Sequence, residues 1–332
     1  GDGGTPTEAE LIDPMAIDLL YVNESGFKVV IAEGARIRLF NDLTNDFTMQ
    51  TIAGTGVHGF SGDFNVSATD AMFESASDVL VVDEDIFVAD RSANVVRKLA
   101  TKGEESAIWT AETMVGNVLG YTGDLVQSRM ISPVSVIGFD ASDTSETSRQ
   151  FFLSDAYQGR IMTLTLYGPG QEDVDETLLS LVGYRGSFVL ADEATSTISA
   201  VRSRLLSSPA GLAYDEGLGA LYMSERYGHT IRCVDLSQED AAPTITTIAG
   251  VFGEADYSST IAAPLSSHLN EPMGLAIEVG EFWRTLYIAD KGNHVIRKLP
   301  LSFTEPCAVA DGSTLDLYAG QPKVPGFVDD GG

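Results

Sequence analysis

The chain has 332 residues, and 44% of them are apolar, which is enough to bury a core in every unit of a repeated architecture. Its formal net charge is −28, from 20 Lys and Arg against 48 Asp and Glu. This charge disfavours nucleic-acid backbones and anionic lipid faces as partners, and no apolar run is long enough to predict a membrane-spanning helix.

One pattern recurs along the sequence: an apolar strand that ends in Asp or Glu, a polar turn, and a second apolar strand. The acids that precede the polar turn, each at the end of the second of the four expected strands, are Glu33, Asp90, Asp155, Glu225 and Asp290. Each copy continues into a further strand that closes on a glycine, namely Gly54, Gly116, Gly183, Gly250 and Gly320. The successive closing glycines are 62, 67, 67 and 70 residues apart, so five repeats account for the chain.

These spacings divide the chain into repeats at about 1–54 (completed by 321–332), 55–116, 117–183, 184–250 and 251–320, within one domain over 1–332. Each repeat accommodates four short strands separated by Gly, Asn, Asp and Pro clusters. In the last copy we expect strands at Met273–Ile277, Thr285–Ala289, Val295–Leu299 and Thr314–Tyr318. Four-stranded sheets repeated around an axis form a β-propeller, so the predicted fold class is all-β, a propeller of five four-stranded blades.

The repeats resemble the NHL-repeat family of β-propellers, which is named for an Asn-His-Leu run. The residues that carry the resemblance are Asn293-His294-Val295, Thr247-Ile248-Ala249-Gly250, the loop Gly59-Phe60-Ser61-Gly62-Asp63 and the strand Pro272-Met273-Gly274-Leu275-Ala276. It is strong in the second, fourth and fifth copies and weaker in the first and third, where His is absent. The family usually has six blades, so six blades is the alternative to the five counted here.

The repeated acids have two interpretations. They could form a ring of cation ligands, but equivalent positions lie far apart around a propeller. Alternatively, each carboxylate accepts backbone N–H bonds in the turn that follows it, which Asp does readily. The second interpretation is favoured, and we predict that these five residues are structural turn acids.

Histidine is the residue through which the resemblance would imply catalysis, because peptidyl-hydroxyglycine amidating lyases in related propellers hold zinc with His ligands. The chain has four histidines, His58, His229, His268 and His294, without the short His spacings that help to build a zinc site. Acidic glycine-rich loops at Gly62-Asp63, Gly123-Asp124 and 329–332 could bind labile calcium, although none has the alternating Asp pattern of a dedicated calcium loop. We therefore predict no catalytic residues, no metal ligands and no cofactor apart from such calcium.

Two cysteines and two glycosylation sequons bear on the location of the protein. Cys233 and Cys307 are expected in neighbouring blades and are either a disulfide or two buried thiols. Asn23 and Asn65 each begin an Asn-x-Ser sequence, so both are candidate N-glycosylation sites. Together with the acidity and the scarcity of Lys, these features predict an extracellular or cell-surface protein.

The two ends of the sequence are in the same phase of the repeat, because Asp2-Gly3-Gly4 and Asp330-Gly331-Gly332 match. We therefore predict that the ends meet at one seam, where a free tail could pair with a neighbouring copy. The residues of this candidate assembly seam are Gly1, Asp2, Gly3, Gly4, Phe327, Asp329, Asp330, Gly331 and Gly332. A displaced tail without assembly is the simpler alternative.

The function predicted from these features is that of a non-enzymatic interaction or structural module. Its partner would be another protein or a second copy of the chain, as a homo-oligomer or filament, and not nucleic acid or the membrane interior. The alternative is a metal-dependent propeller enzyme of the lyase or lactonase kind. Loop surfaces set what a propeller binds, so the identity of the partner cannot be read from short motifs.

Overall fold

The computed structural model describes residues 9–21, 27–41, 48–62, 66–101, 109–116, 133–140, 148–167, 177–182, 195–196, 206–238, 243–258 and 262–325. Within these ranges the chain is all-β, and its helical segments are single turns of 3-10 helix at Ala68–Asp70, Pro264–Ser266 and Lys291–Asn293. None of the helical segments in the described ranges could reach across a bilayer.

The strands form five sheets, as the sequence predicted. The first contains β1 (Pro14–Tyr21), β2 (Phe27–Glu33), β3 (Arg36–Asn41) and β4 (Thr48–Ala53). The second contains β5 (Ala76–Val82), β6 (Asp85–Asp90), β7 (Val95–Thr101) and β8 (Trp109–Gly116). The third contains β9 (Pro133–Asp140), β10 (Ser148–Asp155), β11 (Arg160–Tyr167) and β12 (Thr177–Val182).

The fourth sheet contains β14 (Pro209–Asp215), β15 (Ala220–Glu225), β16 (Thr230–Asp235) and β17 (Thr244–Ala249), and the short β13 (Thr195–Ser196) pairs with β17 at its edge. The fifth contains β18 (Pro272–Val279), β19 (Arg284–Asp290), β20 (Val295–Leu301) and β21 (Asp316–Gly320). Apart from β13, strands that are consecutive in sequence are neighbours in their sheet. The fold class is therefore that of a β-propeller with five four-stranded blades.

Each sheet lies inside one of the repeats that the closing glycines delimit. The first sheet takes all four of its strands from residues 14–53, and residues 321–325 contribute no strand to it. In the fifth sheet the expected strands differ from the observed ones by three residues or fewer at each end. Strand ends are the part of an assignment that sequence patterns define least well.

The chain divides into two compact units, Gly1–Tyr157 with Met162–Leu179, and Gln158–Ile161 with Ser180–Gly332. In the first unit, one apolar cluster joins the first and second sheets and another joins the second and third sheets. In the second unit, an apolar cluster joins the fourth and fifth sheets through residues such as Tyr222, Leu286 and Leu299. A sheet is thus stabilised by burying a face on its neighbour, as in other repeat architectures.

A left-handed residue and a closing glycine recur together in the second, fourth and fifth sheets. The residue before the third strand has a positive φ in the second, fourth and fifth sheets, at Asn94 (62°), His229 (57°) and His294 (60°). The closing glycine of the same sheet packs on the carbonyl oxygen of that residue: an added Cβ would lie 2.2 Å from it at Gly116, 2.3 Å at Gly250 and 2.6 Å at Gly320. These glycines also have positive φ, so no other residue fits well there.

Polar side chains of one sheet hydrogen-bond with the first strand of the next sheet within each unit, from the first strand at Asp18 and Asp78 and from the second strand at Ser224. In the first unit, the Val81 N–H donates to the Asp18 carboxylate at 2.6 Å and the Val136 N–H donates to the Asp78 carboxylate at 2.9 Å. In the second unit, the Ser224 hydroxyl donates to the Met273 carbonyl at 2.6 Å. Such bonds satisfy backbone groups that lie on the unpaired edge of a first strand.

Asp78 should make the stability of the first unit depend on pH. Burial raises the pKa of Asp78 from 3.8 to about 7, although hydrogen bonds from Val136, Ser135 and Val79 oppose this shift. The folded chain therefore keeps a proton that the unfolded chain loses, and stability falls as the pH rises from 3.8 towards 7, by about 1.4 kcal/mol per unit of pH. Asp78→Asn cannot ionise and should flatten this dependence in urea unfolding followed across that range. A variant with the same pH dependence as the wild type would contradict the assignment.

Candidate functional site

The five repeated acids are all buried at the ends of second strands. Their hydrogen-bond donors include residues that precede the first strand of the same sheet: the Asp90 carboxylate accepts from the Glu74 N–H at 3.0 Å and the Ser75 N–H at 2.8 Å. Asp290 accepts from the Asn270 N–H at 2.7 Å in the same way. The turn that follows also contributes, through the Asn293 side chain at 2.9 Å from Asp290. The sequence pattern predicts backbone donors from the following turn, such as the Ala93 N–H beside Asp90, but indicates neither the Asn293 side chain nor the upstream N–H groups.

In three of the sheets an arginine of the third strand forms an ion pair with the acid at the end of the second strand. The sequence analysis gave these arginines no role. The pairs are Glu33–Arg38 at 3.0 Å, Glu225–Arg232 at 3.6 Å and Asp290–Arg297 at 3.7 Å. In the second sheet, burial raises the pKa of Asp90, and hydrogen bonds and the charge of Arg97 oppose that shift. The third repeat has Met162 at this position, seven residues after Asp155, as Arg97 follows Asp90. The recurrence of Arg after the turn in four repeats could have indicated this ion pair from the sequence alone.

Arg97 shows what these arginines do. Its guanidinium donates to backbone carbonyls at 2.8 to 3.2 Å and lies over two phenyl rings at 4.7 and 5.1 Å, all in the segment between the first and second sheets; these partners are Ser61, Gly62, Met72, Phe60 and Phe73. In the fifth sheet, Arg297 lies 5.0 Å from the centre of the Tyr257 ring in the same way. The repeated arginines therefore bind the segments that connect one sheet to the next. Three residues of the Gly-Phe-Ser-Gly pattern at 59–62 contact Arg97 directly, namely Phe60, Ser61 and Gly62.

The histidines are dispersed. His229 and His294 occupy left-handed turn positions, and the Nδ1 of His229 accepts from the Glu271 N–H at 3.1 Å. Burial lowers the pKa of His229. His58 contacts the Glu74 carbonyl at 2.8 Å, and His268 contacts Glu254 at 3.0 Å. In the part of the chain that the structure describes, no three His, Cys, Asp or Glu residues are grouped so that they could hold a metal ion.

A cavity of about 550 Å³ lies beside the first sheet. Its lining contains one carboxylate, two guanidinium groups, three threonines, one isoleucine and one glycine. These residues are Glu10, Arg36, Arg38, Thr51, Thr55, Thr69, Ile12 and Gly54. Arg36 and Arg38 both face the buried Glu33, at 3.9 and 3.0 Å. The charges around the cavity are thus largely balanced within the protein, and its lining does not resemble a site for a metal ion.

Cys233 and Cys307 form a disulfide, with their Cα atoms 5.3 Å apart. The bond joins β16 of the fourth sheet to the segment that follows β20 of the fifth. The sequons at Asn23 and Asn65 lie outside the described residues. So do all the residues of the predicted seam, from Gly1 to Gly4 and from Phe327 to Gly332, and the calcium-binding candidates Asp63, Gly123 and Asp124.

Large apolar side chains are exposed at the turn from β18 to β19 and in the segment after β20, where the Phe303 carbonyl contacts Arg284 at the start of β19. Their exposed fractions are 52% for Val279, 69% for Phe282, 47% for Trp283 and 50% for Phe303, and we call these four residues the turn patch. The Gly280 N–H donates to the Trp283 carbonyl at 2.8 Å, and an added Cβ on Gly280 would lie 2.4 Å from the Trp283 ring. The indole is therefore held against the glycine backbone while much of it stays in contact with solvent.

Arg284 connects the turn patch to the rest of the second unit. Its guanidinium pairs with Asp215, a residue of the fourth sheet that is 1% exposed, and donates to the Phe303 carbonyl at 2.9 Å. Glu278, Glu281 and Glu305 adjoin the patch in sequence. Contiguous exposed apolar patches are common at protein–protein interaction sites.

Known proteins resemble the chain in sequence and in fold. NHL repeat-containing protein 2 from Gallus gallus is 24% identical over 391 aligned residues, which cover 92% of this chain and 50% of that protein. The Bos taurus protein of the same name is 37% identical over 128 residues, or 36% of this chain and 16% of that protein. The chain thus spans half or less of these relatives. No protein-family model matches it.

Among solved structures, an auxiliary nutrient binding protein from Bacteroides thetaiotaomicron has a TM-score of 0.56 at 10% identity, over 93% of this chain and 58% of that one. At this identity the likeness concerns the fold alone. The five four-stranded sheets and the relatives named for NHL repeats agree with the repeated turns, closing glycines and acids of the sequence. The chain is thus a β-propeller built from NHL-type repeats.

Proposed function

We propose that this propeller is a non-enzymatic module that binds other proteins, and that the turn patch is its binding surface. The observation that carries the proposal is the rigid exposure of Phe282 and Trp283 beside acidic residues. A chain with a net charge of −28 attracts basic partners at long range. The partner chemistry that fits is a segment in which Lys or Arg flank an aliphatic or aromatic anchor.

We further propose that the module works outside the cell or at its surface. The disulfide between Cys233 and Cys307 supports this location, because disulfides persist mainly in oxidising compartments. The acidic composition and the two sequons are consistent with it. Binding by the turn patch requires no cofactor, and labile calcium in the glycine-rich loops stays a prediction.

The enzymatic alternative has less support. A catalytic zinc needs three protein ligands that converge on one point. Three of the histidines contact separate neighbours, Glu74 for His58, Glu271 for His229 and Glu254 for His268. The geometry of the described residues therefore favours binding over metal-assisted chemistry.

The binding proposal is tested with Phe282→Ser and with Val57→Ser as its control. Val57 is 58% exposed in a loop of the first unit, so the control removes a similar exposed apolar side chain elsewhere. On an array of peptides with varied basic and aromatic content, Phe282→Ser should weaken binding of basic-aromatic peptides on the order of tenfold or more, and Val57→Ser should not. Raised salt should weaken the same binding. Equal binding by both variants, or equal binding of acidic peptides, would sink the proposal.

A further inference from the structure

The segment after β20 folds back on itself in a loop that contributes one residue to the turn patch. The Ser302 N–H donates to the Ala308 carbonyl at 2.9 Å and so closes a loop over residues 303–307, which we call the Phe303 loop. Phe303 begins this loop and is 50% exposed, whereas Cys307 ends it and is partly buried against the apolar cluster of the second unit. The loop therefore joins the turn patch to one half of the disulfide.

Two connections fix the Phe303 loop to the fourth sheet. At the start of the loop, Arg284 donates to the Phe303 carbonyl at 2.9 Å and pairs with Asp215 of β14. At the end of the loop, Cys307 is bonded to Cys233 of β16, and their Cα atoms are 5.3 Å apart. The two connections reach the fourth sheet independently, so the loss of one leaves the other in place.

Cys307 has a left-handed backbone, with a φ of 56°. Such a conformation is unfavourable for most residues other than glycine, and it persists only where the surrounding structure imposes it. The left-handed turns before the third strands use Asn or His, which tolerate it better. The covalent bond to the fully buried Cys233 fixes the position of Cys307. An intact disulfide therefore maintains a strained end of the Phe303 loop.

We propose that the turn patch binds its partner fully only while the disulfide is intact, so that a dithiol reductant weakens binding by releasing the Phe303 loop. This inference rests on the proposed function, because it concerns the regulation of the same surface. Reduction removes the connection at Cys307 and lets its backbone leave the left-handed region. The rest of the patch does not depend on the bond, since Trp283 is held against Gly280. Reduction therefore removes one of two parts of the surface.

The reduction is a thiol–disulfide exchange in two steps. Cys307 is partly exposed and Cys233 is not, so a thiolate of the reductant attacks the Cys307 sulfur. The Cys233 sulfur leaves as a thiolate and takes up a proton. The second thiol of the reductant then attacks the mixed disulfide and releases Cys307. The protein gains two electrons and two protons as a pair of thiols, and the dithiol becomes a disulfide.

Calorimetric titration of a synthetic peptide in which Trp is flanked by Lys measures the effect, with the chain oxidised or reduced by dithiothreitol. Reduction should weaken binding about fivefold or more. The double variant Cys233→Ala with Cys307→Ala lacks the bond without any reductant, and it should bind like the reduced wild type. Val57→Ser, in the first unit, should respond to dithiothreitol as the wild type does. Circular dichroism confirms that each form is folded.

Phe303→Ser identifies the loop as the cause. If the bond acts through the position of Phe303, this variant should weaken binding by the oxidised chain about as much as reduction does. Reduction of Phe303→Ser should then have no further effect, because both changes remove the same contact. Phe282→Ser, in the other part of the patch, should bind more weakly and still respond to reduction.

The outcomes separate this inference from the proposed function. An oxidised wild-type chain that does not bind the peptide would contradict both together. Binding that is unchanged by reduction would leave the surface standing and refute its redox dependence. Equal losses on reduction of the wild type and of Phe303→Ser would also overturn the inference, because the bond would then act elsewhere. So would complete loss of binding on reduction, which would make the bond a general requirement of the fold.

Discussion

Gly250→Ala should destabilise the second unit strongly, whereas Gly253→Ala, three residues later, should have a much smaller effect. Both glycines have positive φ, 93° at Gly250 and 77° at Gly253, so an alanine at either costs about 1–2 kcal/mol of backbone strain. At Gly250 the added Cβ would also lie 2.3 Å from the His229 carbonyl oxygen, whereas at Gly253 it would meet nothing within 4 Å. Backbone must move at Gly250, and we expect a total loss of about 3–5 kcal/mol.

Urea unfolding of the two variants, followed by circular dichroism, measures the difference directly. The comparison separates backbone strain, which both variants share, from packing on the left-handed turn, which only Gly250 has. If Gly250→Ala and Gly253→Ala lose the same free energy of unfolding, the closing glycine is required only because its φ is positive. The same result would remove the contact with the His229 carbonyl as an explanation of the glycine pattern.

Arg97→Met should be the second severe change, with Lys98→Met as its matched control. Arg97 is fully buried and connects the segment between the first and second sheets to β7. Its loss removes the charge that opposes the raised pKa of Asp90 and leaves that buried carboxylate without its cation, at a cost of about 3–5 kcal/mol. Lys98 pairs with Asp85 near the surface at 2.7 Å, and its loss should cost less than about 1 kcal/mol.

The dependence of this loss on pH identifies its cause. Burial already raises the pKa of Asp90, and removal of Arg97 should raise that pKa further. A protonated Asp90 needs no cation, so the difference in stability between wild type and Arg97→Met should shrink as the pH falls. Stability measured by urea unfolding at several pH values tests this. A difference that is constant with pH would assign the loss to the hydrogen bonds of Arg97 with backbone carbonyls and to its contacts with Phe60 and Phe73 instead.

The fold could be predicted because its signals are local. A closing glycine, an acid at the end of a strand and a short turn lie within one repeat, and their spacing of 62 to 70 residues separates the sheets. The left-handed turn explains why the residue before the third strand is Asn94, Gly159, His229 or His294 in four of the sheets, since Asn, His and Gly tolerate positive φ well. The histidines at 229 and 294 therefore reflect backbone geometry first, and their repetition did not indicate a metal site.

The candidate site could be predicted only in part, because its determinants are contacts distant in sequence. The backbone carbonyls that accept hydrogen bonds from Arg97 lie 25 to 36 residues earlier, and the pair Arg284–Asp215 spans 69 residues. The strand patterns of the fourth and fifth sheets are alike, yet Tyr222 is buried and Tyr287 is not. Whether a sheet has a neighbour on a given side is a property of the assembled structure, which the pattern within one strand does not contain.

The disulfide has a mechanical consequence. Cys233 and Cys307 are 74 residues apart in sequence, and an extended chain of that length spans about 250 Å. In a chain pulled from points on either side of the bond, this length cannot be released while the bond is intact, because force passes through the sulfur atoms and bypasses the residues between them. Most of the fifth sheet and its contact with the fourth are thus shielded from tension, and reduction of one bond would make the chain about 250 Å more extensible.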